Sequence, residues 1–289
     1  MKVRLISVPY DSGRFMAALG LGPATILKAG LAGRLAASGH VVSEETLVVA
    51  DPRPREITTG FAMAGEIARA CRHAVAAEQF PLVLAGNCLS ALGVCAGVRA
   101  DAAIWFDAHG DLNTPDTTAS GLLDGMALAV LLGLCWPKPS AGVEGFVPLA
   151  ADRVVLADAR DLDPPEAALI AEKGIRRDPV ADTAASAVAL AAAGASRFYL
   201  HLDLDVHDPA LAPANAFAAA GGPSPDAVRA AAVKIAASVP LAGAALTAYD
   251  PAFDPQGVTA AAAMELAAAL VDSVAERRAW QALNSAVRL

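Results

Sequence analysis

Positive charge is in short supply. The chain of 289 residues carries 22 lysines and arginines against 30 aspartates and glutamates, a formal charge of −8. No basic cluster stands out, so neither nucleic acid nor an anionic membrane is expected as a partner. Charged residues of both signs reach only 18%, while hydrophobic residues make up 55%, much of it alanine. Such a chain is globular, not disordered. Long apolar runs are missing as well. The longest uncharged one, near 125–136, falls short of the ~20 residues a membrane span needs. The opening stretch, MKVRLISVPYDSG, is interrupted too soon to read as a secretory signal. Cysteine is sparse: Cys71, Cys88, Cys95 and Cys135 make no disulfide framework in a chain this long. A reduced, cytoplasmic protein is expected. No linker, repeat or low-complexity tract beyond the alanine bias divides the chain, so residues 1–289 are read as one domain.

What the chain does have is alternation. Apolar runs that read as strands fall at 3–8, 41–49, 81–85, 102–107, 153–158, around 174–177, 198–205 and 243–249. Helical patterns fit at 22–39, 58–77, 88–99, 120–133, 182–194, 224–237 and 257–275. The strand runs are nearly all apolar, as expected when both sheet faces are covered. Strand and helix in turn imply an α/β fold, a parallel sheet of about eight strands with helices on both sides. In such sheets ligands bind beyond the carboxyl ends of the strands. The informative residues should therefore sit where each strand stops.

Two strand ends carry the same chemistry. AIWFDAHGDLN (103–113) closes an apolar run with Asp107, His109 and Asp111. In extended chain, alternate side chains point the same way, so three metal-type ligands converge. YLHLDLDVHDPALAP (199–213) repeats the pattern with Asp203 and Asp205. Two carboxylates packed together repel unless a cation or proton lies between them. The bland reading of either motif alone is a solvated or capping loop. Two of them at strand ends of one sheet point to a metal site. Oxygen donors with one imidazole suit a hard divalent ion such as Mn²⁺. Four carboxylates suit two ions sharing bridging groups. His201 and His207 share the strand parity of the second motif and are read as supporting or packing groups. His40 and His73 have no companions. GLGPA (20–24) lacks the context of a phosphate loop and is set aside.

FDAHGDLN and LDLDVHDPALAP resemble the two metal motifs of the ureohydrolases, the family of arginase, agmatinase and formiminoglutamase. SVPYDSG…LGLGPATI, RVVLADARDLDPPE (153–166) and the glycines at 221–222 resemble other segments of that family. The resemblance covers nearly the whole chain. It implies a three-layer α/β/α sandwich, a dimanganese centre and hydrolysis of a guanidino group. Asp107 and Asp203 would bridge the ions, His109 and Asp205 would complete one, and Asp111 the other. The last ligand in the family is a histidine, and its place is taken here by Cys88. A buried filler, a metal-bound thiolate and a nucleophile with His109 as base all remain open for Cys88. A helix start and nearby cations would favour the thiolate. A thiolate would weaken Mn²⁺ there or favour a softer ion.

Two further departures lie at the reacting end. Asp124, in SGLLDGM, stands where arginases carry a proton-shuttling histidine. Ala248, in AYDP, stands where they carry a guanidinium-binding glutamate, with Asp250 a second candidate. Asp111 and Asp124 are thus the expected catalytic groups. NTPDTTASG (113–121) follows the arginase loop, so Asn113, Thr118 and Ser120 would hold an α-carboxylate and Asp163 an α-amino group. The resemblance therefore implies an amidinohydrolase acting on an L-amino acid such as L-arginine or Nω-hydroxy-L-arginine. The cysteine variant resembles the enzymes that hydrolyse the latter. A homo-oligomer, trimer or hexamer, is implied too. The competing class is a metal-poor relative that binds an amino acid without turning it over. A mononuclear zinc deacetylase would need fewer ligands than this chain supplies.

Overall fold

The computed structural model describes residues 1–50 and 55–287. The one-domain expectation for 1–289 also takes in 51–54 and 288–289, which lie outside the described residues. Eight strands form one sheet: β1 (Lys2–Val8), β2 (Val41–Thr46), β3 (Gln79–Ala85), β4 (Ala102–Phe106), β5 (Val154–Ala157), β6 (Arg176–Asp178), β7 (Phe198–Asp203) and β8 (Leu241–Thr247). Their order is β2-β1-β3-β8-β7-β4-β5-β6, and every pairing is parallel.

The helices are α1 (Gly22–Lys28), α2 (Leu31–Ala37), α3 (Glu56–Ala76), α4 (Ser90–Val98), α5 (Ala127–Leu131), α6 (Pro137–Ala141), α7 (Pro164–Lys173), α8 (Thr183–Ala192), α9 (Pro225–Ser238) and α10 (Val258–Val287). They cover both faces, giving the three-layer α/β/α sandwich. On one face Leu5, Leu82, Phe106 and Leu200 pack with Ile26, Leu35, Ile235 and Leu270. On the other, Ile6, Val83, Trp105 and Tyr199 pack with Ile67, Cys71, Val94 and Cys95.

Strand and helix positions follow the sequence reading with local differences. The helix expected over 22–39 breaks at Gly30, whose φ of 109° a β-carbon would resist. The helix expected over 120–133 is only α5 and a short 3₁₀ turn at Asp124–Met126. α7 has no counterpart among the helical patterns of the sequence reading, and two prolines open it. Yet proline is favoured in a first turn, and Glu166 accepts from the Asp163 N–H at 2.9 Å as in a capping box. α10 runs past the expected 275. Over Val258–Asn284 it is long and apolar enough to cross a membrane by length and composition. Here it is a core helix: Ala260, Ala263, Ala267, Leu270 and Val274 are buried at helical spacing, and it packs on α1, α2 and α9.

The topology makes the crevice. The chain leaves β3 and re-enters the sheet at β4, and β8 and β7 later fill the gap. The carboxyl ends of β3, β8, β7 and β4 thus lie side by side. These are the ends that carry Cys88, Thr247, Asp203 and Asp107.

Candidate metal centre

β3 runs into Gly86, where an added β-carbon would collide with the Tyr10 carbonyl oxygen. This close approach turns the chain sharply before α4. Cys88 sits in that turn, buried, with its Sγ donating to Asp203 Oδ2 at 2.9 Å and 3.4 Å from Thr247 Oγ1. Burial and the carboxylates of Asp203, Asp124, Asp111 and Asp107 push the thiol well above its ordinary range. Among the described residues the groups that act most on it are acids, so the expectation of a ready thiolate is not met by the protein alone. A bound divalent ion would oppose both causes. His109 turns toward Asp107 and Asp205 instead of Cys88, so its placement does not favour a cysteine nucleophile with His109 as base.

The first motif leaves β4 and folds back. The His109 N–H donates to Asp107 Oδ1 at 2.7 Å, and Trp105 Nε1 donates to Asp107 Oδ2 at 3.0 Å. Asp111 takes a left-handed φ of 52°. Its Oδ2 is buried with no hydrogen-bond partner among the described residues. The second motif is not plain extended chain either. β7 ends at Asp203, and a 3₁₀ turn follows over Leu204–Val206, fixed by the Asp205 N–H donating to Asp203 Oδ1 at 2.8 Å.

Two groups of donor atoms result. One atom each from Asp107, His109 and Asp205 lie within 4.8 Å of one another, as do one each from Cys88, Asp107, His201 and Asp203. Asp107 belongs to both. Burial and the neighbouring acids raise Asp111 and Asp203 well above the usual carboxylate range. Burial opposes charge on His109, but Asp107 and Asp205 outweigh it and push the imidazole up to about 12. Buried acids, two imidazoles, one thiol and an unpartnered carboxylate oxygen are a donor set that fits a pair of divalent ions.

Asp124 has a definite task. Its Oδ1 accepts from the Cys88 N–H at 2.6 Å and the Leu89 N–H at 3.3 Å, and its Oδ2 accepts from Asn87 Nδ2 at 2.8 Å. Burial pushes it up to about 7, against donors that favour the anion. Ala248 holds a left-handed φ of 60°, its carbonyl accepting from Asn215 Nδ2 at 2.7 Å. Asp250 is buried, and its Oδ1 accepts from the Ala252 N–H at 2.9 Å.

At the other end, Asn113 Nδ2 donates to Asp163 Oδ2 at 2.8 Å, and Thr118 Oγ1 lies 3.3 Å from Ser120 Oγ. The structure joins these four as two pairs. Asn113 is buried, Thr118 half-buried, and Ser120 and Asp163 exposed. His40 meets Asp272 at 2.8 Å, His73 is exposed, and His207 Nδ1 lies 2.8 Å from the Leu204 carbonyl.

Several supporting residues escaped the sequence reading. Asn215 Nδ2 also reaches Asp205 Oδ2 at 3.2 Å. Arg160 donates to the carbonyls of Val206 at 3.0 Å and Ala219 at 2.7 Å. Buried Glu166 accepts from the Leu112 N–H at 2.9 Å, tying α7 to the first motif. The D-P-P-E spacing at 163–166 was the one available signal for Glu166.

Comparison with known proteins fits this geometry. The sequence profile of the arginase family matches residues 1–272. Arginase of Bacillus subtilis is 32% identical over 186 residues, covering 60% of this chain and 62% of that protein. Arginase of Bacillus caldovelox is 29% identical over 291 residues, covering 93% and 97%. Its solved structure superposes with a TM-score of 0.84 at 28% identity, covering 93% of this chain and 97% of that one. The Nω-hydroxy-L-arginine amidinohydrolase of Streptomyces lavendulae is 31% identical over 192 residues, covering 63% and 66%.

Proposed function

The chain belongs to the arginase family, whose members hydrolyse C–N bonds of guanidino compounds, and we propose that it is a two-metal amidinohydrolase acting on an L-amino acid with a guanidino or substituted guanidino tail. L-Arginine and Nω-hydroxy-L-arginine are the substrates in view, with urea or hydroxyurea released. The whole of 1–289 acts as one ureohydrolase-like domain in this reading. The observation that carries it is the pair of donor groups at neighbouring strand ends, Asp107 with His109 and Asp205 and the same Asp107 with Cys88, His201 and Asp203; Asp111 belongs to neither group and lies near Asp107 with a buried, unpartnered Oδ2.

Asp107 and Asp203 would bridge two Mn²⁺ ions, with His109 and Asp205 on one and Asp111 and Cys88 on the other. When bound, such ions supply Lewis acidity and a nucleophilic water. The protein supplies the rest. Asp111 Oδ2 is the unpartnered acceptor at the reacting end, free to take a ligand or a proton. Asp124 holds the Cys88 turn through three donors. A carboxylate has about four acceptor sites, which leaves one for an N–H or O–H of the substituted tail. Ala248 brings no carboxylate of its own, so Asp124 takes that part. Asn113, Thr118 and Ser120 would grip the α-carboxylate, and Asp163 the α-amino group. The family resemblance also supports a cytoplasmic homo-oligomer, a trimer or hexamer, that works on small molecules without nucleic acid or membrane.

Hydrolysis of L-arginine analogues beside agmatine, which lacks the α-carboxylate, tests the substrate class. Turnover of the amino acids with little of agmatine is expected. Preference for agmatine would overturn the assignment of Asn113, Thr118 and Ser120. Binding without turnover of any of them would favour the non-catalytic reading.

A further inference from the structure

The imidazole absent at position 88 has a counterpart one strand over. His201 lies two residues before Asp203 on β7, so the two side chains share a sheet face. It is fully buried in the middle of the sheet, opposite Trp105 of β4 on one side and Ala245 of β8 on the other. Its ring stacks on Trp105, with centroids 3.6 Å apart and planes 14° from parallel. Trp105 in turn holds Asp107 through Nε1.

The two ring nitrogens have different company. Nδ1 lies 2.7 Å from Tyr199 Oη. Nε2 lies 3.2 Å from Thr247 Oγ1, which is itself 3.4 Å from Cys88 Sγ and 3.5 Å from Asp203 Oδ2. Nε2 therefore faces the acids. Donor atoms around one tetrahedral first-row ion, at metal distances of about 2.0–2.3 Å, stand roughly 3.3–3.8 Å apart. The group of Cys88, Asp107, His201 and Asp203, all within 4.8 Å of one another, is close to that spacing before any ion draws it in. A ligating histidine commonly donates its other ring N–H to an oxygen. The Tyr199 hydroxyl is placed to accept it, which would leave the Nε2 lone pair toward the cluster.

We propose that His201 is a metal ligand, binding through Nε2 the same ion as Cys88, Asp107 and Asp203. The inference rests on the two-metal reading above and adds one ligand to it. His201 restores the imidazole that Cys88 displaced. A thiolate, an imidazole and carboxylates make this the softer of the two positions, suited to Zn²⁺ or Co²⁺. His109, Asp205 and Asp107 form the harder one.

The test counts ligands and needs no turnover. Protein loaded with Zn²⁺ is examined by X-ray absorption at the zinc edge, with metal stoichiometry measured on the same sample. Two zinc ions, one sulfur and two imidazoles per chain are expected. Co²⁺ should give a sulfur-to-metal charge-transfer band. His201→Gln should keep that band but shift it, lose one imidazole from the count, and weaken the Cys88-side ion by at least about 100-fold. Cys88→Ser should abolish the band. One sulfur with a single imidazole in the unsubstituted protein would overturn the role of His201 and leave the two-metal reading standing. So would an unchanged spectrum and affinity in His201→Gln. No sulfur ligand, with one ion or none per chain, would overturn both. The spectrum of the unsubstituted protein decides the matter even if the variant does not fold.

Discussion

Replacing Asp124 by asparagine isolates what this residue does for the Cys88 turn. The carboxylate accepts three N–H groups, from Cys88 at 2.6 Å, Leu89 at 3.3 Å and the Asn87 side chain at 2.8 Å. An asparagine can turn its oxygen toward only one side. Facing Cys88 and Leu89, it sets its NH₂ against the NH₂ of Asn87. Asn87 cannot flip to accommodate, because its Oδ1 already accepts from the Ser12 N–H at 2.8 Å. One hydrogen bond to a charged group is lost, worth about 1.5–3 kcal/mol. Relief of the buried charge, the main reason the Asp124 carboxyl is pushed up, and of repulsion from Asp107 returns part of that. The net loss is about 1–2 kcal/mol, which for a chain of this size lowers Tm by about 2–3 °C. Urea denaturation of the metal-free protein, with thermal melting beside it, measures this. Asp124→Ala, which removes all three acceptor contacts, should lose more. An Asp124→Asn variant within 0.5 kcal/mol of the parent would refute the three-point hold.

Glu166→Ala should cost about 2–4 kcal/mol in denaturant titration, since it strands the buried Leu112 N–H and the Asp163 N–H; a loss below about 0.5 kcal/mol would show that water satisfies both. Divalent metal should raise the unfolding free energy by about 2.7 kcal/mol per site at one hundred times Kd, and Tm with it, and a chelator should reverse this, because the ions relieve repulsion among Asp107, Asp111, Asp203 and Asp205; a Tm indifferent to metal would contradict the site. Asp163→Ala should raise KM for the amino-acid substrate by roughly 10-fold or more, as loss of a charged contact of about 1.5–3 kcal/mol implies, with kcat little changed; a fall in kcat alone would place Asp163 elsewhere in the reaction.

Much of this architecture is legible without coordinates. Apolar runs such as AIWF and YLHL end in acids, and the parallel sheet collects those ends in one crevice. Residue type and position within the strand suffice for Asp107 and Asp203. The shape of the loops does not follow from them. Alternation in extended chain assigns Asp203 and Asp205 to one face, whereas a 3₁₀ turn separates them. Asp111 adopts a left-handed conformation that no periodicity announces. Long-range support is less legible still. Asn215 reaches Ala248, and Arg160 reaches Val206 and Ala219, across dozens of residues of sequence. His201 shows the same gap. Its strand parity places it beneath Asp203, but only the register of β7 with β4 and β8 sets its ring between Trp105 and Thr247.

The central claim is that Cys88, Asp124 and Ala248 retune a working two-metal amidinohydrolase toward a substituted guanidino tail. Release of urea from L-arginine and of hydroxyurea from Nω-hydroxy-L-arginine, measured side by side on the metal-loaded protein, tests it most directly. The account predicts a clear preference in kcat/KM for the hydroxylated substrate. Turnover of L-arginine alone would contradict it and make the three departures tolerated changes in an ordinary arginase.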